Sequence, residues 1–182
     1  TKSGFRSLFY QEVPLNAQYS EIKNSYEFTK YKSLFSSNMI GKFNFHGMAV
    51  NSFNGDNVRV SKRLYIPYSK LRGFEFGKIG PIENGDYVGG NYSSSINLST
   101  TLPQVLPSFQ NIDFSYFIDL GNVWGVDYDQ VLDKKSTIRS STGIAMDFLS
   151  PVGPISFSFT KPITKKSSDK TESFRFNLGT TF

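Results

Sequence analysis

The chain has 182 residues, enough for one domain and too few for two large ones, and it carries no cysteine and a single histidine, His46. A disulfide framework, a Cys-ligated metal site and an ordinary His-dependent nucleophile pair are thereby excluded. The net charge is +5, but its densest basic stretches are only Lys62-Arg63, Lys134-Lys135 and Lys165-Lys166, so nucleic acid is not expected as a partner.

In chain order, residues 4–15, 19–32 and 38–51 read as strands, with the alternation weakest in the first two. His46 lies in the third, whose other face carries Phe43 and Phe45. Without a second His or any Cys it is expected to be neither catalytic nor a metal ligand. The segment 54–90 is rich in Gly, Asn, Lys and Tyr and lacks helical periodicity. It is too long for an idle connection, which predicts a functional loop. Residues 91–103 form the next strand. Phe114, Tyr116, Ile118 and Leu120 then alternate with Ser115, Phe117, Asp119 and Gly121. Ile138, Ser140, Thr142, Ile144, Met146 and Phe148 oppose Arg139, Ser141, Gly143, Ala145 and Asp147. Ile155, Phe157 and Phe159 oppose Ser156, Ser158 and Thr160. Phe174, Phe176, Leu178, Thr180 and Phe182 oppose Arg175, Asn177, Gly179 and Thr181.

The expected fold class is all-β, with about eight antiparallel strands. A mean hydropathy of −0.32 would suit a water-soluble protein, and a soluble sandwich also alternates. A membrane barrel nevertheless averages to such a value, because its apolar residues are spaced by polar ones. Aromatic residues make up 16% of the chain and gather at strand ends, while the polar face mixes Arg, Asp and Asn with Gly and Ser, as a watery lumen requires. Connections alternate between tight, as at Ser150 to Pro154, and polar and looser, as at Lys165 to Thr171. No apolar run is long enough for a transmembrane helix. No leader precedes Thr1, which points to a cleaved leader or to a start inside a longer gene product.

Four motifs stand in order along residues 70–182. Lys70-Leu71-Arg72-Gly73-Phe74, with Ile79-Gly80-Pro81 and Gly85-Asp86-Tyr87-Val88-Gly89-Gly90-Asn91, resembles the loop-six motif of the BamA superfamily, which also holds TamA-like and two-partner-secretion transporters. Phe117-Ile118-Asp119-Leu120-Gly121-Asn122-Val123-Trp124 is similar to that family's strand motif. Ser150-Pro151-Val152-Gly153-Pro154-Ile155, reached through Arg139-Ser140-Ser141-Thr142-Gly143-Ile144, is similar to its Ser-Pro-Leu-Gly-Pro turn. The closing Phe174 to Phe182 looks like its assembly signal.

The resemblance implies a transmembrane antiparallel barrel of sixteen strands in the cell outer membrane. This chain, a surface-antigen-type barrel region, would supply about the last eight and lack the periplasmic POTRA domains. It implies assembly and insertion of other outer-membrane barrels, with a translocation pore of the same superfamily as the alternative and a small autonomous barrel as a third reading. Partners would be outer-membrane lipids and lipopolysaccharide, nascent outer-membrane proteins and, in the full-length protein, accessory lipoproteins. The isolated chain would close its two free edges on each other or pair them between copies. No enzyme activity and no cofactor are expected.

In the family the loop folds into the lumen and its Arg pairs with acids of the barrel wall, which assigns that role to Arg72 beside Gly73 and Phe74. Strand parity places Asp119 on the inward face with Ser115 and Gly121. The other reading of Arg72 is a solvated loop arginine. A second wall acid of the family is replaced here by Asn97, a neutral amide that can accept a hydrogen bond, and inward-facing Asp147 is a candidate to compensate. Gly179 is either the kink of a lateral gate or a lumen position where a side chain would clash. Phe174, Phe176, Leu178 and Phe182 form the assembly signal, or face lipid, or both. Trp124 is expected as an interface anchor, and Asp127 and Asp129 as part of a solvated outer loop, since they lack calcium-loop spacing.

Overall fold

The two-residue rhythm is realised as extended backbone along most of the chain. The computed structural model describes residues 3–14, 20–34, 39–102, 112–128, 136–150 and 153–179. Strands β1 (Gly4–Glu12), β2 (Glu21–Ser33) and β3 (Ile40–Ser52) precede the long segment. Within that segment β4 (Ile82–Glu83) and β5 (Asp86–Tyr87) form a small hairpin. It is followed by β6 (Tyr92–Leu102), β7 (Ile112–Trp124), β8 (Arg139–Ser150), β9 (Gly153–Thr164) and β10 (Phe174–Leu178).

Eight strands make one sheet in the order β1-β2-β3-β6-β7-β8-β9-β10, each antiparallel to its neighbours. All eight expected strands are present. The first stops at Glu12 rather than at residue 15, and the last at Leu178; the expected continuation through Phe182 lies outside the described residues. The sheet is open, with β1 and β10 as its edges.

Register decides which residues share a face, because side chains alternate strictly along a strand. One row crosses the sheet as Arg6–Thr29–Asn44–Asn97–Asp119–Ser141, and all of it except Arg6 is buried. The adjacent row, Phe5–Lys30–Phe43–Leu98–Ile118–Thr142–Lys161, faces the other way. On that outward face Phe148 stacks on Phe157 at 6.2 Å, Phe157 meets Phe176 at 5.1 Å, and Phe159 meets Phe174 at 5.1 Å. Such rings reinforce cross-strand pairing. Phe43, Leu98, Ile144, Phe159 and Phe176 are exposed while the polar row is buried. A water-soluble sheet has the reverse arrangement.

The polar row is buried because residues 53–91 fold back across it. The expectation of a simply watery interior needs correction here, since the loop brings its own apolar core. Ile66, Leu71, Phe74 and Ile79 cluster with Val123 of β7, and Val58 and Leu64 cluster with Val50 of β3. Each fully buried side chain of this kind contributes roughly 1.5–3 kcal/mol. The connection 165–173, read from sequence as loose, is also tied down. Thr171 forms an antiparallel bridge with Phe74, and Glu75 N–H donates to the Lys170 carbonyl at 3.1 Å.

The two ends of the sheet differ. Segments 13–20, 53–91, 125–138 and 165–173 join strands at one end, whereas 34–39, 103–111 and 151–152 join them at the other, so the two longest connections, 53–91 and 125–138, share one end. These are called below the loop end and the turn end.

Candidate functional site

Arg72 and Asp119 are 47 residues apart in sequence and meet where the long loop crosses the inward face of β7. The Arg72 Nε donates to Asp119 Oδ2 at 2.7 Å and its Nη2 to Oδ1 at 2.9 Å. The Arg72 backbone N–H adds a third bond to Oδ2 at 3.1 Å. This is the two-pronged geometry in which guanidinium and carboxylate match best. Asp119 is fully buried and Arg72 retains 20% side-chain exposure. A pair so placed offsets its desolvation only if every lone pair is used. The expected pairing of Arg72 with Asp119 is therefore present in geometry, and Arg72 is not a solvated loop arginine.

Two residues complete it. Asn97, directly across from Asp119 on β6, donates its amide to Asp119 Oδ1 at 2.9 Å and to the Lys70 carbonyl at 2.6 Å. The amide, which can also accept, acts here as a donor, so a carboxylate at this position would repel Asp119. Asp147 does not compensate: it is exposed and accepts a hydrogen bond from Ser156. Phe117, two residues before Asp119 on the same face and fully buried, lies under the guanidinium, whose Cζ sits 3.3 Å from the ring centroid. The ring's negative face adds a cation–π attraction.

Gly73 turns the chain at a φ of +89°, and a Cβ there would approach Ser141 at 3.2 Å and Thr160 at 3.3 Å. Glycine is needed both for that backbone conformation and for the close approach to β8 and β9. The Ser141 hydroxyl donates to the Arg72 carbonyl. Phe74, next in line, is buried in the apolar cluster. Arg72, Gly73, Phe74 and Asp119 thus come together as expected.

The terminal candidates lie elsewhere. Phe174, Phe176 and Leu178 project from the outward face of β10, away from the lock. Phe182 lies outside the described residues. Gly179 follows the end of β10 rather than interrupting it, at a φ of +114°, and among the described residues no atom lies within 4 Å of where a Cβ would stand, so none of them would clash with a side chain there. Trp124 stacks with Tyr92 at 5.9 Å at the loop end of the sheet.

Several partners escaped sequence reading. Lys70 Nζ pairs with Glu27 at 2.6 Å and with Asn44 Oδ1 at 2.9 Å, and Asn44 Nδ2 also serves Thr29 at 2.7 Å. On the other side Arg139 and Asp169 form a wholly buried pair, with Nε–Oδ2 at 3.1 Å and Nη2–Oδ1 at 2.9 Å. Asp169 sits in the connection expected to be loose. Asp127 is exposed, as a solvated outer loop requires, and it also accepts from Val58 N–H at 2.7 Å and from Asn91 at 2.6 Å. Asp129 lies outside the described residues. Tyr87 donates to the Ser168 carbonyl, and burial, together with the charges of Asp169 and Glu75, pushes its phenol above the ordinary value. A cavity of about 580 Å³ opens on the turn-end side of the lock, with Lys42, Lys70, Arg72 and Arg175 facing Glu27, Asp113 and Asp147.

Comparison with known proteins agrees with this arrangement. The family model of the Omp85 superfamily domain matches residues 2–182. The chain is 32% identical over 139 residues to the outer membrane protein assembly factor BamA of Neisseria meningitidis serogroup B, covering 62% of this chain and 17% of that protein. With the BamA of Neorickettsia risticii it shares 28% identity over 134 residues, covering 71% of this chain and 18% of that protein. The crystal structure of BamA from Haemophilus ducreyi lacking POTRA domains 1-3 matches with a TM-score of 0.87 at 28% identity, over 100% of this chain and 39% of that one. The chain thus spans less than a fifth of the length of these curated relatives. It belongs to the Omp85 superfamily of outer-membrane proteins.

Proposed function

We propose that this chain forms the carboxyl-terminal half of a sixteen-stranded transmembrane barrel whose complete protein assembles and inserts other β-barrel proteins into the outer membrane. The observation that carries the reading is the β10 edge. It is a five-residue strand beside the twelve residues of β9, it presents Phe174, Phe176 and Leu178 outward, and it ends at the left-handed Gly179. An unpaired backbone row is very costly in hydrocarbon. A short last strand leaves few ladder bonds to break, so a nascent strand can add to it by β-augmentation. The outward apolar face supports membrane embedding, and the unequal ends support an orientation with the turn end in the periplasm.

The mechanism requires no bond chemistry. Arg72, Phe117 and Asp119 hold the long loop against the wall while the edge changes partners, and Gly179 serves as the hinge of that edge. Phe174, Phe176 and Leu178, with Phe182, serve as the signal by which the chain is itself assembled. Nascent outer-membrane proteins are the proposed clients, with accessory lipoproteins engaging parts of the full-length protein outside this chain. A photo-crosslinking residue at Asn177 in the full-length protein tests this. Adducts with newly exported barrel proteins are expected there and not at Asn51 on β3. No client adduct at Asn177 would overturn the reading.

A further inference from the structure

The outward face carries its charges unevenly. Along the eight strands of the sheet, register places Lys30, Lys32 and Lys161 outward and the strand carboxylates Glu12, Glu21, Glu27, Asp113, Asp119 and Asp147 inward. Lys30 and Lys32 are both exposed and lie within the last residues of β2 before the turn end. Neither belongs to an ion pair with another described residue. A lipid-facing ammonium is costly at the bilayer midplane and tolerated where its stem can carry it to the headgroups. From Lys30 to the end of β2 is about 10 Å of strand, within reach of such snorkelling.

Beside these two lysines the outward surface is indented. A groove of about 400 Å³ has Lys30 and Lys32 at its rim and Leu34, Phe43, Leu98 and Ile118 along its walls. Its floor passes Gly41, where a Cβ would approach the Leu34 side chain at 3.1 Å. Missing side-chain volume at Gly41 thus helps to make the indentation.

We propose that this groove holds one anionic phospholipid of the periplasmic leaflet, its phosphate between Lys30 and Lys32 and an acyl chain along Phe43, Leu98 and Ile118. Charge complementarity selects the headgroup: two adjacent cations with no carboxylate on their face attract a phosphodiester and gain nothing from a zwitterion's outer ammonium. The site rests on the membrane-spanning reading of the sheet.

The test reconstitutes the full-length protein that contains this chain into phosphatidylcholine vesicles containing phosphatidylglycerol. Protease protection first reports embedding. The bound lipid is then counted by native mass spectrometry after detergent extraction. Retention of phosphatidylglycerol over phosphatidylcholine by about thirtyfold is expected, lost in Lys30→Gln/Lys32→Gln and kept in Lys161→Gln. Gly41→Leu, which fills the floor, should lower retention of either lipid. A protected chain retaining both lipids equally would overturn the lipid site and leave the barrel reading standing. Full-length protein digested throughout would overturn both. A mass of two chains without lipid would assign the groove to a second copy and likewise overturn the proposal.

Discussion

Gly143 of β8 lies opposite Phe117 of β7, and the missing side chain at one makes room for the ring of the other. A Cβ at residue 143 would come within 2.8 Å of Phe117 Cζ and would also collide with the Phe159 carbonyl oxygen. Because Phe117 supports the Arg72 guanidinium, Gly143→Ala should disturb the lock without touching either of its charges. A loss of about 1–3 kcal/mol is expected in urea unfolding, together with a weaker coupling between Arg72 and Asp119. Unchanged coupling would mean that the ring is not a support.

That coupling has its own test. Arg72→Ala leaves a buried carboxylate without its partner and should cost about 3–5 kcal/mol. Asp119→Asn alone should be comparably harmful. The double variant Arg72→Met/Asp119→Asn should cost clearly less than the sum, since it removes both charges together. Additive losses would show that the two residues act separately.

The Arg139–Asp169 pair predicts a local effect. Asp169→Asn should leave Arg139 buried without its carboxylate partner and loosen the 165–173 connection. Limited proteolysis should then cut first within that connection, whereas the unaltered chain should resist cleavage there. Cleavage starting in 53–91 instead would contradict the order proposed.

Alkaline pH offers a further handle. The Tyr87 phenol is raised from its ordinary 10.0, so the unfolded chain ionises first. The stability tied to its neutral form is full below pH 10 and is lost as pH rises through the higher folded value. Tyr87→Phe should flatten part of that alkaline loss in an unfolding titration and lower stability near neutrality by about 1 kcal/mol.

The free edges predict the behaviour of the isolated chain. In detergent it should either close β1 on β10 as a monomer with heat-modifiable gel mobility or run at the mass of two copies. A monomer of fixed mobility would remove both outcomes.

Much of this was legible from residue order. Strict alternation through Phe114 to Gly121 put Asp119 on the inward face, and the Arg72-Gly73-Phe74 motif supplied its partner. What stayed hidden depends on distant pairings without a local period. Lys70 and Glu27 are separated by 43 residues, and Arg139 and Asp169 by 30, with nothing in either segment naming the other. Asp169 lay hidden in a stretch read as looser because polarity records affinity for water, not the direction a turn points. The apolar residues Val58, Leu64, Ile66, Leu71, Phe74 and Ile79 have no common spacing, because turns, rather than a helix or a long strand, arrange them. Their loop therefore looked wetter than it is.

The stitching of residues 73–78 to 170–172 sets a mechanical condition on β10. The lead-in to that strand is held by Glu75 N–H on the Lys170 carbonyl, Lys170 N–H on the Lys78 carbonyl and Glu172 N–H on the Gly73 carbonyl, at 3.1, 3.2 and 3.1 Å. Arg175 of β10 also sits over the Tyr68 ring at 4.7 Å. An outward swing of β10 that carries its lead-in must rupture these contacts or drag the residues flanking Arg72 along with it. The seam and the latch behave as one lever, so force applied at the rim is felt at Asp119.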